Sequence, residues 1–287
     1  MNKTRSSSKK VSITQLNNHE VTNKRQALKD IKMLDFDTLQ YKNPAQKRFY
    51  NTISKKDITF CIGPAGCGKT YLSTHRALRE LGDKNNHIDG IVIVKPLVEA
   101  AGEKIGFLPG DVEEKTLPWM MSFYYNMEQI IGKQRLQVLK DGNTIQVIPL
   151  AFMRGITLAN KFVILDEAQN ATPEQIKMFV TRIGENSKYI ITGDLEQSDI
   201  SKHKSGLEDA IKRFAGIHGV GLAQFKEKDV VRHSLVKRLL KRYKPSFNII
   251  DEVSAERTIS MWIHENGLDA QVDGSLQTDD TYYKLKK

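Results

Sequence analysis

Apolar residues recur along this chain with two different periods, and the alternation between them predicts the fold. Short apolar runs with strand character lie at 58–62, 91–94, 145–148, 162–165, 189–192 and 220–225. Most of the intervening segments carry apolar residues three and four positions apart, which is typical of amphipathic helices. Strands that alternate with helices predict an α/β domain with a mostly parallel sheet covered by helices on both faces. In such a domain the binding site lies at the carboxyl ends of the strands.

Helix signals are clearest in the second half of the chain. The run Thr-Pro-Glu-Gln at 172–175 is an N-cap followed by proline and a capping-box glutamine, so a helix should begin there. A last amphipathic helix is predicted from about Val230 to Tyr243, before Pro245. Its apolar residues are expected to face inward, and these are Leu235, Val236, Leu239 and Leu240.

Both ends of the chain lack this regular pattern. Residues 1–35 are polar and basic and are expected to form a flexible N-terminal arm. Residues 36–244 carry the α/β pattern and form the predicted main domain. Residues 245–287 show weak periodicity and mixed charge, so they are assigned to a small C-terminal extension.

The charge balance favours an anionic partner. The 287 residues include 44 Lys and Arg against 34 Asp and Glu, a formal net charge of +10. Such an excess favours a polyanion such as nucleic acid. A basic surface without a partner stays open as an alternative, because aromatic residues are few and no long basic run occurs.

Cysteine usage and hydropathy indicate a cytoplasmic location. The two cysteines, Cys61 and Cys67, cannot supply a disulfide framework, which fits a reducing compartment. No apolar stretch approaches the ~20 residues needed to span a bilayer, and the first residues lack the hydrophobic core of a secretion signal. We therefore expect a soluble cytoplasmic protein with no membrane partner.

The most informative segment is ITFCIGPAGCGKT at 58–70, an apolar strand that runs into G-x-x-x-x-G-K-T. Such a glycine-rich loop, placed between a strand and a helix, directs backbone N–H groups at phosphate oxygens. Lys69 would neutralise the β and γ phosphates, and Thr70 would ligate Mg²⁺. The predicted nucleotide-binding residues here are Gly63, Pro64, Ala65, Gly66, Cys67, Gly68, Lys69 and Thr70.

A second apolar strand, FVIL at 162–165, ends in Asp166 and Glu167. The tips of parallel strands lie at one edge of the sheet, so both carboxylates should lie beside the phosphate loop. Asp166 is the predicted magnesium ligand, and Glu167 is predicted to polarise the attacking water.

Three polar side chains elsewhere are weaker candidates. Thr192 and Gln197 lie at and just after the end of the 189–192 run, where they could sense the γ phosphate. Gln46, upstream of the first strand, could read the adenine edge with its amide.

Six motifs occur in an order that resembles the PhoH family, which is related to superfamily 1 helicases. They are GPAGCGKT, KPLVEAAGEKIGFLPGD, FMRGITL, DEAQN, ITGD and DVVRH, between about Asn43 and Tyr243. The resemblance implies a RecA-like P-loop NTPase core, ATP and Mg²⁺ as cofactors, a cytoplasmic location and RNA-directed activity. It gives Gln46 an adenine contact, makes Gln197 the γ-phosphate glutamine, and makes Arg232 a candidate arginine finger.

Two departures from the family pattern affect the expected function. Lys95 and Ile156 stand where the family often has basic residues with planar guanidinium groups, which weakens the case for tight strand binding there. The residues after Tyr243 are also too few for a second RecA-like lobe. If Arg232 acts as a finger in trans, the active form should be a homo-oligomer such as a ring. A role for Arg232 within its own domain stays open.

Residues 99–111 form a predicted long loop with three glycines, which is expected to touch nucleic acid or a neighbouring subunit. Phe107 could stack on a base, or Phe107 and Leu108 could pack under the loop as a small core of their own. The leading hypothesis is Mg²⁺-dependent ATP hydrolysis coupled to binding or remodelling of RNA or other single-stranded nucleic acid. The alternatives are a nucleotide-gated binding protein with weak turnover and, less favoured, a small-molecule kinase.

Overall fold

A computed structural model describes residues 26–96, 112–200 and 205–242. The chain divides into two compact units, Met1–Val231 and Arg232–Lys287. The first unit contains the sheet and the candidate site. Its described strands are β1 (Ile58–Ile62), β2 (Gly90–Lys95), β3 (Ile145–Pro149), β4 (Lys161–Leu165), β5 (Lys188–Gly193) and β6 (Val220–Gln224).

The strands form one sheet in the order β3-β2-β4-β5-β1-β6, and every neighbouring pair is parallel. The predicted RecA-like α/β fold with a parallel sheet is therefore confirmed. Strand β5 lies between β1, which leads into the phosphate loop, and β4, which leads into Asp166. Because all strands run the same way, their carboxyl ends meet at one edge of the sheet.

The described helices of the first unit surround or flank this sheet. They are α1 (residues 26–32), α2 (Pro44–Lys55), α3 (Lys69–Gly82), α4 (Val112–Ile131), α5 (Lys133–Asp141), α6 (Pro173–Val180) and α7 (Leu207–Phe214). The helix α8 (Ser234–Arg242) belongs to the second unit.

Both faces of the sheet are buried, as the continuous apolar strands predict. On β2, Ile91 and Ile93 join a core cluster with residues of α2, α3 and α4, such as Phe49 and Phe123. Val92 and Val94 point the other way into a second cluster that includes residues of α6 and α7. The alternation along one strand thus places helices on both sides.

The predicted start of α6 is confirmed in detail. Thr172 accepts a hydrogen bond from the backbone N–H of Gln175, and the Gln175 side chain accepts one from the Thr172 N–H. Proline occupies the first helical position, where its missing N–H costs nothing.

The structure corrects the boundary of the predicted N-terminal arm. Helix α1 lies within the stretch assigned to it, and Ala27 and Ile31 are 5% and 0% exposed within the core. These two apolar side chains, one turn apart, form a short stripe that packs on the domain, and Gly82 leaves room for Ile31. The predicted arm therefore extends too far along the chain. Residues 1–25 lie outside the described residues, as do residues 243–287.

The prediction for the apolar face of α8 is also wrong for three side chains. Leu235, Val236 and Leu239 are 47%, 37% and 52% exposed. The helix belongs to the second unit rather than to the sheet, so amphipathic spacing alone did not place this face in the core. Across the described segments, no helix has the length and apolar character to cross a membrane.

Candidate functional site

The loop between β1 and α3 has a backbone shape that requires glycine. Gly63, Gly66 and Gly68 have φ values of +146°, +84° and +92°. A Cβ atom on Gly63 would lie 2.6 Å from the Cβ of Phe225, so space excludes a side chain there as well. Gly68 is the N-cap of α3. The curled backbone and the start of α3 together form the expected cradle for an anion.

Lys69 and Thr70 occupy the first turn of α3, where the phosphate-loop motif places them. The Lys69 ammonium donates to the carbonyl oxygens of Gly63 and Pro64 at 2.5 and 3.1 Å. The Lys69 side chain therefore folds back onto its own loop. A bound phosphate would replace these two carbonyl oxygens as the partner of the ammonium group. The Thr70 side chain is partly exposed beside it.

The loop is fastened to two neighbouring parts of the fold. Gln46 is 5% exposed, and its Nε2 donates to the Cys67 carbonyl at 3.0 Å while its Oε1 accepts from the Lys42 N–H at 2.8 Å. The Val231 N–H donates to the Gly66 carbonyl at 2.8 Å. Gln46 thus supports the loop directly, and its predicted contact with adenine stays a prediction.

Cys67 behaves as a small filler of this loop. Its side chain is buried, and its thiol donates to the Pro64 carbonyl at 3.0 Å. Burial raises the pKa of the Cys67 thiol, which keeps it protonated and poorly nucleophilic.

Asp166 lies at the tip of β4 and is 5% exposed. Its Oδ1 accepts a hydrogen bond from the Thr192 hydroxyl at 2.6 Å, and its Oδ2 lies 3.2 Å from the Lys95 ammonium. Thr192 is fully buried and holds Asp166, and its predicted part in sensing the γ phosphate stays a prediction. Lys95, a candidate for contact with a nucleic-acid strand, is the counter-ion of the predicted metal ligand.

Glu167 follows Asp166 with a left-handed backbone, φ +55°, which turns its side chain into an exposed position. Its carboxylate accepts from Gln169 Nε2 at 2.7 Å, and Gln169 Oε1 accepts from the Asp194 N–H at 3.0 Å. Gln169 is 4% exposed. Sequence reasoning missed this residue, although the DEAQ motif contained it.

Two predicted catalytic residues are exposed, and their roles stay predictions. Gln197 is exposed in the turn after β5, on the same side of the sheet as Asp166. Arg232 is exposed and is the first residue of the second unit, so its role stays a prediction. The predicted loop 99–111, with Phe107, lies outside the described residues.

A cavity of about 680 Å³ lies beside the phosphate loop. Gly66, Gly68 and Gln46 form its loop side, and Phe36, Tyr71 and His75 contribute aromatic surface. Such a volume lies in the usual range for small-molecule sites. Burial, with smaller contributions from Arg79 and Arg76, lowers the pKa of His75 to about 4, so the ring facing this cavity is neutral at physiological pH.

A family model described as PhoH-like protein matches residues 38–244. The chain belongs to this family. PhoH-like proteins of Synechocystis sp. and Bacillus subtilis are 45% and 44% identical to it over 204 and 207 residues. These alignments cover 71% and 72% of this chain but 61% and 64% of the relatives. Protein PhoH of Escherichia coli is 40% identical over 205 residues, which are 70% of this chain and 57% of that protein.

Solved structures add little to the assignment as a PhoH-like protein. The large terminase of a thermophilic bacteriophage aligns with 71% of this chain and 51% of its own chain, at 14% identity and a TM-score of 0.42. That score is too low to support an argument. The fold assignment rests on the parallel sheet and its strand order.

The side chains of this PhoH-like chain fit a magnesium ion bound together with a nucleotide. Mg²⁺ prefers oxygen ligands and is usually held by one or two protein groups plus substrate phosphates. The Thr70 hydroxyl and the Asp166 carboxylate are donors of this kind. Among the described residues no group of three or more His, Cys, Asp or Glu side chains converges.

Proposed function

We propose that this chain binds ATP and Mg²⁺ at the phosphate loop and hydrolyses ATP to ADP and phosphate. The observation that carries the proposal is the meeting of the phosphate loop and the carboxylate-tipped strand at one edge of the sheet. Ile62 pairs with Gly193, and Ile191 pairs with Leu165, so the ends of β1, β5 and β4 lie side by side. A phosphate loop alone would support only binding.

The loop and the first turn of α3 would hold the triphosphate. Backbone N–H groups and Lys69 would bind its oxygens, and Lys69 would exchange the carbonyl oxygens of Gly63 and Pro64 for them. Thr70 and Asp166 would hold Mg²⁺, which neutralises charge that develops on the phosphates when it is bound. Thr192 keeps the Asp166 carboxylate oriented from beneath.

Glu167 is the proposed general base. Its carboxylate is exposed at the strand tip, and the bond from Gln169 fixes its direction. A water between Glu167 and the γ phosphate would lose a proton to the carboxylate as it attacks phosphorus, and ADP would leave. Gln197 would bind the same phosphate or the water, as the family resemblance suggests.

The cavity beside the loop is the proposed site of the nucleoside. Tyr71 and Phe36 offer apolar faces for a flat base, and Gln46 offers an amide for its polar edge. Because the internal bonds of Gln46 use one hydrogen of Nε2 and one lone pair of Oε1, one donor and one acceptor remain for adenine.

Coupling to RNA or another single-stranded nucleic acid is the second part of the proposal. Its support is the net charge of +10 and the family resemblance. The pairing of Lys95 with Asp166 removes one candidate phosphate contact from this surface. Arg154 is exposed in the turn after β3, at the carboxyl edge, and is a better candidate.

The deciding experiment is the ATPase rate of the purified protein with no nucleic acid, single-stranded RNA, single-stranded DNA or duplexes. The Glu167→Gln variant is the blank, because it keeps the size and hydrogen bonding of the side chain but cannot accept the proton. Turnover that disappears in this variant and rises with single-stranded RNA supports the proposal. Equal, slow turnover with every nucleic acid favours a nucleotide-gated binding protein, and no turnover above the blank refutes hydrolysis.

A further inference from the structure

The turn that carries Gln197 forms an arch, residues 194–199, whose two ends are fastened to the segment after β4. At its first end the Asp194 N–H donates to Gln169 Oε1 at 3.0 Å. At its far end the Ser198 hydroxyl lies 3.2 Å from the Gln169 carbonyl oxygen and 2.8 Å from that of Ile200. Gln197 is exposed between these two attachments.

Asn170 closes the far end of the arch with a two-point contact. Its Oδ1 accepts from the Asp199 N–H at 2.8 Å, and its Nδ2 donates to Asp199 Oδ2 at 2.7 Å. Asn170 is 9% exposed, whereas Asp199 is exposed. A buried amide thus holds both the backbone and the side chain of one residue. Such paired bonds restrict the orientation of Asp199 relative to Asn170 as well as the distance between them.

The same short segment also sets the position of Glu167. The Gln169 amide donates to the Glu167 carboxylate and accepts from the Asp194 N–H, so one side chain connects the proposed base with the first end of the arch. The Gln169 amide also packs closely against Gly193. A Cβ on Gly193 would lie 2.9 Å from Gln169 Oε1 and 2.5 Å from Leu207 Cδ2.

We propose that Gln169 and Asn170 are positioning residues that link the arch bearing Gln197 to Glu167. A γ phosphate that draws Gln197 inward then moves the arch, and the attachments at Gln169 and Asn170 carry this movement to the base. This inference rests on the proposed function, since it needs a nucleotide whose γ phosphate is recognised. It assigns the DEAQN segment a role beyond metal binding and proton transfer.

The test breaks the contact between residues 170 and 199 by placing two negative charges there, and then restores it by exchanging the amide and the carboxylate. Asn170→Asp keeps the acceptor for the Asp199 N–H but places two carboxylates together. The double variant N170D/D199N restores a donor and acceptor pair with the donor now on residue 199. Asn186→Asp makes the same change at the opposite edge of the sheet and is the matched control. Asp199→Ala removes the carboxylate from an exposed position and serves if N170D does not fold.

Two measurements are made on the full chain. The first is the affinity for a fluorescent non-hydrolysable ATP analogue divided by that for fluorescent ADP. The second is hydrogen–deuterium exchange of the peptide that covers 194–200. In N170D we expect faster exchange and a ratio lower by about tenfold, the equivalent of one lost charge-assisted bond. The double variant should return the ratio to within about twofold of wild type, and N186D should match wild type.

The results separate this inference from the proposed function. If wild type does not bind the nucleotides, the proposed function fails and the link fails with it. If wild type prefers the triphosphate and N170D keeps that ratio, with or without faster exchange, the attachment is structural only and the inference is overturned. A lowered ratio that N170D/D199N does not restore also overturns it, because the loss then comes from another contact.

Discussion

Acid should destabilise this protein through His75, a buried residue of α3. The His75 Nδ1 lies 2.8 Å from the Tyr50 hydroxyl, and the side chain is nearly enclosed. Burial is the largest cause that lowers its pKa from 6.5 to about 4, and Arg79 and Arg76 act in the same direction. Asp37 opposes them with a smaller effect.

The direction of the pH dependence follows from which state binds the proton. Unfolded His75 takes up a proton near pH 6.5, whereas folded His75 stays neutral to about pH 4. Between these values the unfolded chain holds more protons, so the free energy of unfolding falls as pH falls. For this pair of pKa values, a drop from pH 7.5 to pH 5 should remove about 2 kcal/mol.

The assay is urea unfolding followed by circular dichroism at several pH values from 7.5 to 5. His75→Asn keeps an acceptor near the Nδ1 position but cannot take up the proton, so its difference from wild type isolates His75. That difference should shrink by about 2 kcal/mol over this range. His218→Asn is the matched control for replacing an exposed histidine. Parallel stability curves for wild type and His75→Asn would refute the reasoning.

Three further predictions concern the strand tips and the arginine finger. Gly193→Ala should lower the free energy of unfolding by about 1–3 kcal/mol in urea, because its Cβ would meet Leu207 and Gln169, and an unchanged midpoint would contradict this. Lys95→Met should lower the Mg²⁺ concentration for half-maximal binding of a fluorescent nucleotide by about tenfold, since the ion no longer displaces an ammonium from Asp166. Lys161→Met, at the opposite edge of the sheet, is the control. If Lys95→Met needs as much Mg²⁺ as wild type or more, Lys95 and Mg²⁺ do not compete for Asp166. If Arg232 is an arginine finger in trans, mixing Lys69→Ala and Arg232→Ala subunits should restore ATPase activity, whereas no activity at any mixing ratio would exclude it.

Much of the fold and the centre of the site could be predicted from local sequence. The strands from β1 to β5 are runs of apolar residues, and such runs fit buried parallel strands. The capping box at Thr172 is a contact between residues three apart, so it can be read directly. The loop at 63–70 is equally local, because its function depends on glycine spacing and on the following lysine.

Most of the contacts that sequence reasoning missed join distant parts of the chain, and the bond from Gln169 to Glu167, two residues away, is an exception. Lys95 meets Asp166 only because β2 and β4 pair with Val94 opposite Leu165, and this register is fixed by the assembled sheet. The bonds from Gln169 and Asn170 likewise connect turns about 25 to 29 residues apart, as seen at Asp194 and Asp199. Neither periodicity nor spacing encodes such pairs. The exposure of the apolar side chains of α8 was missed although their spacing is regular. Such spacing shows that one face of a helix is apolar, but it does not identify the surface that would cover this face.

The two charged groups expected to bind phosphate and metal are both already paired inside the protein. Lys69 bonds to carbonyl oxygens of its loop, and Asp166 bonds to Lys95 and Thr192. Asp166 is buried, and an unpaired charge there would cost several kcal/mol, a cost that its contacts with Lys95 and Thr192 avoid. If this chain binds a nucleotide with Mg²⁺ as proposed, Lys69 and Asp166 would exchange these internal partners for phosphate oxygens and the ion. The exchange would also free Lys95, at the end of β2, from its ion pair with Asp166.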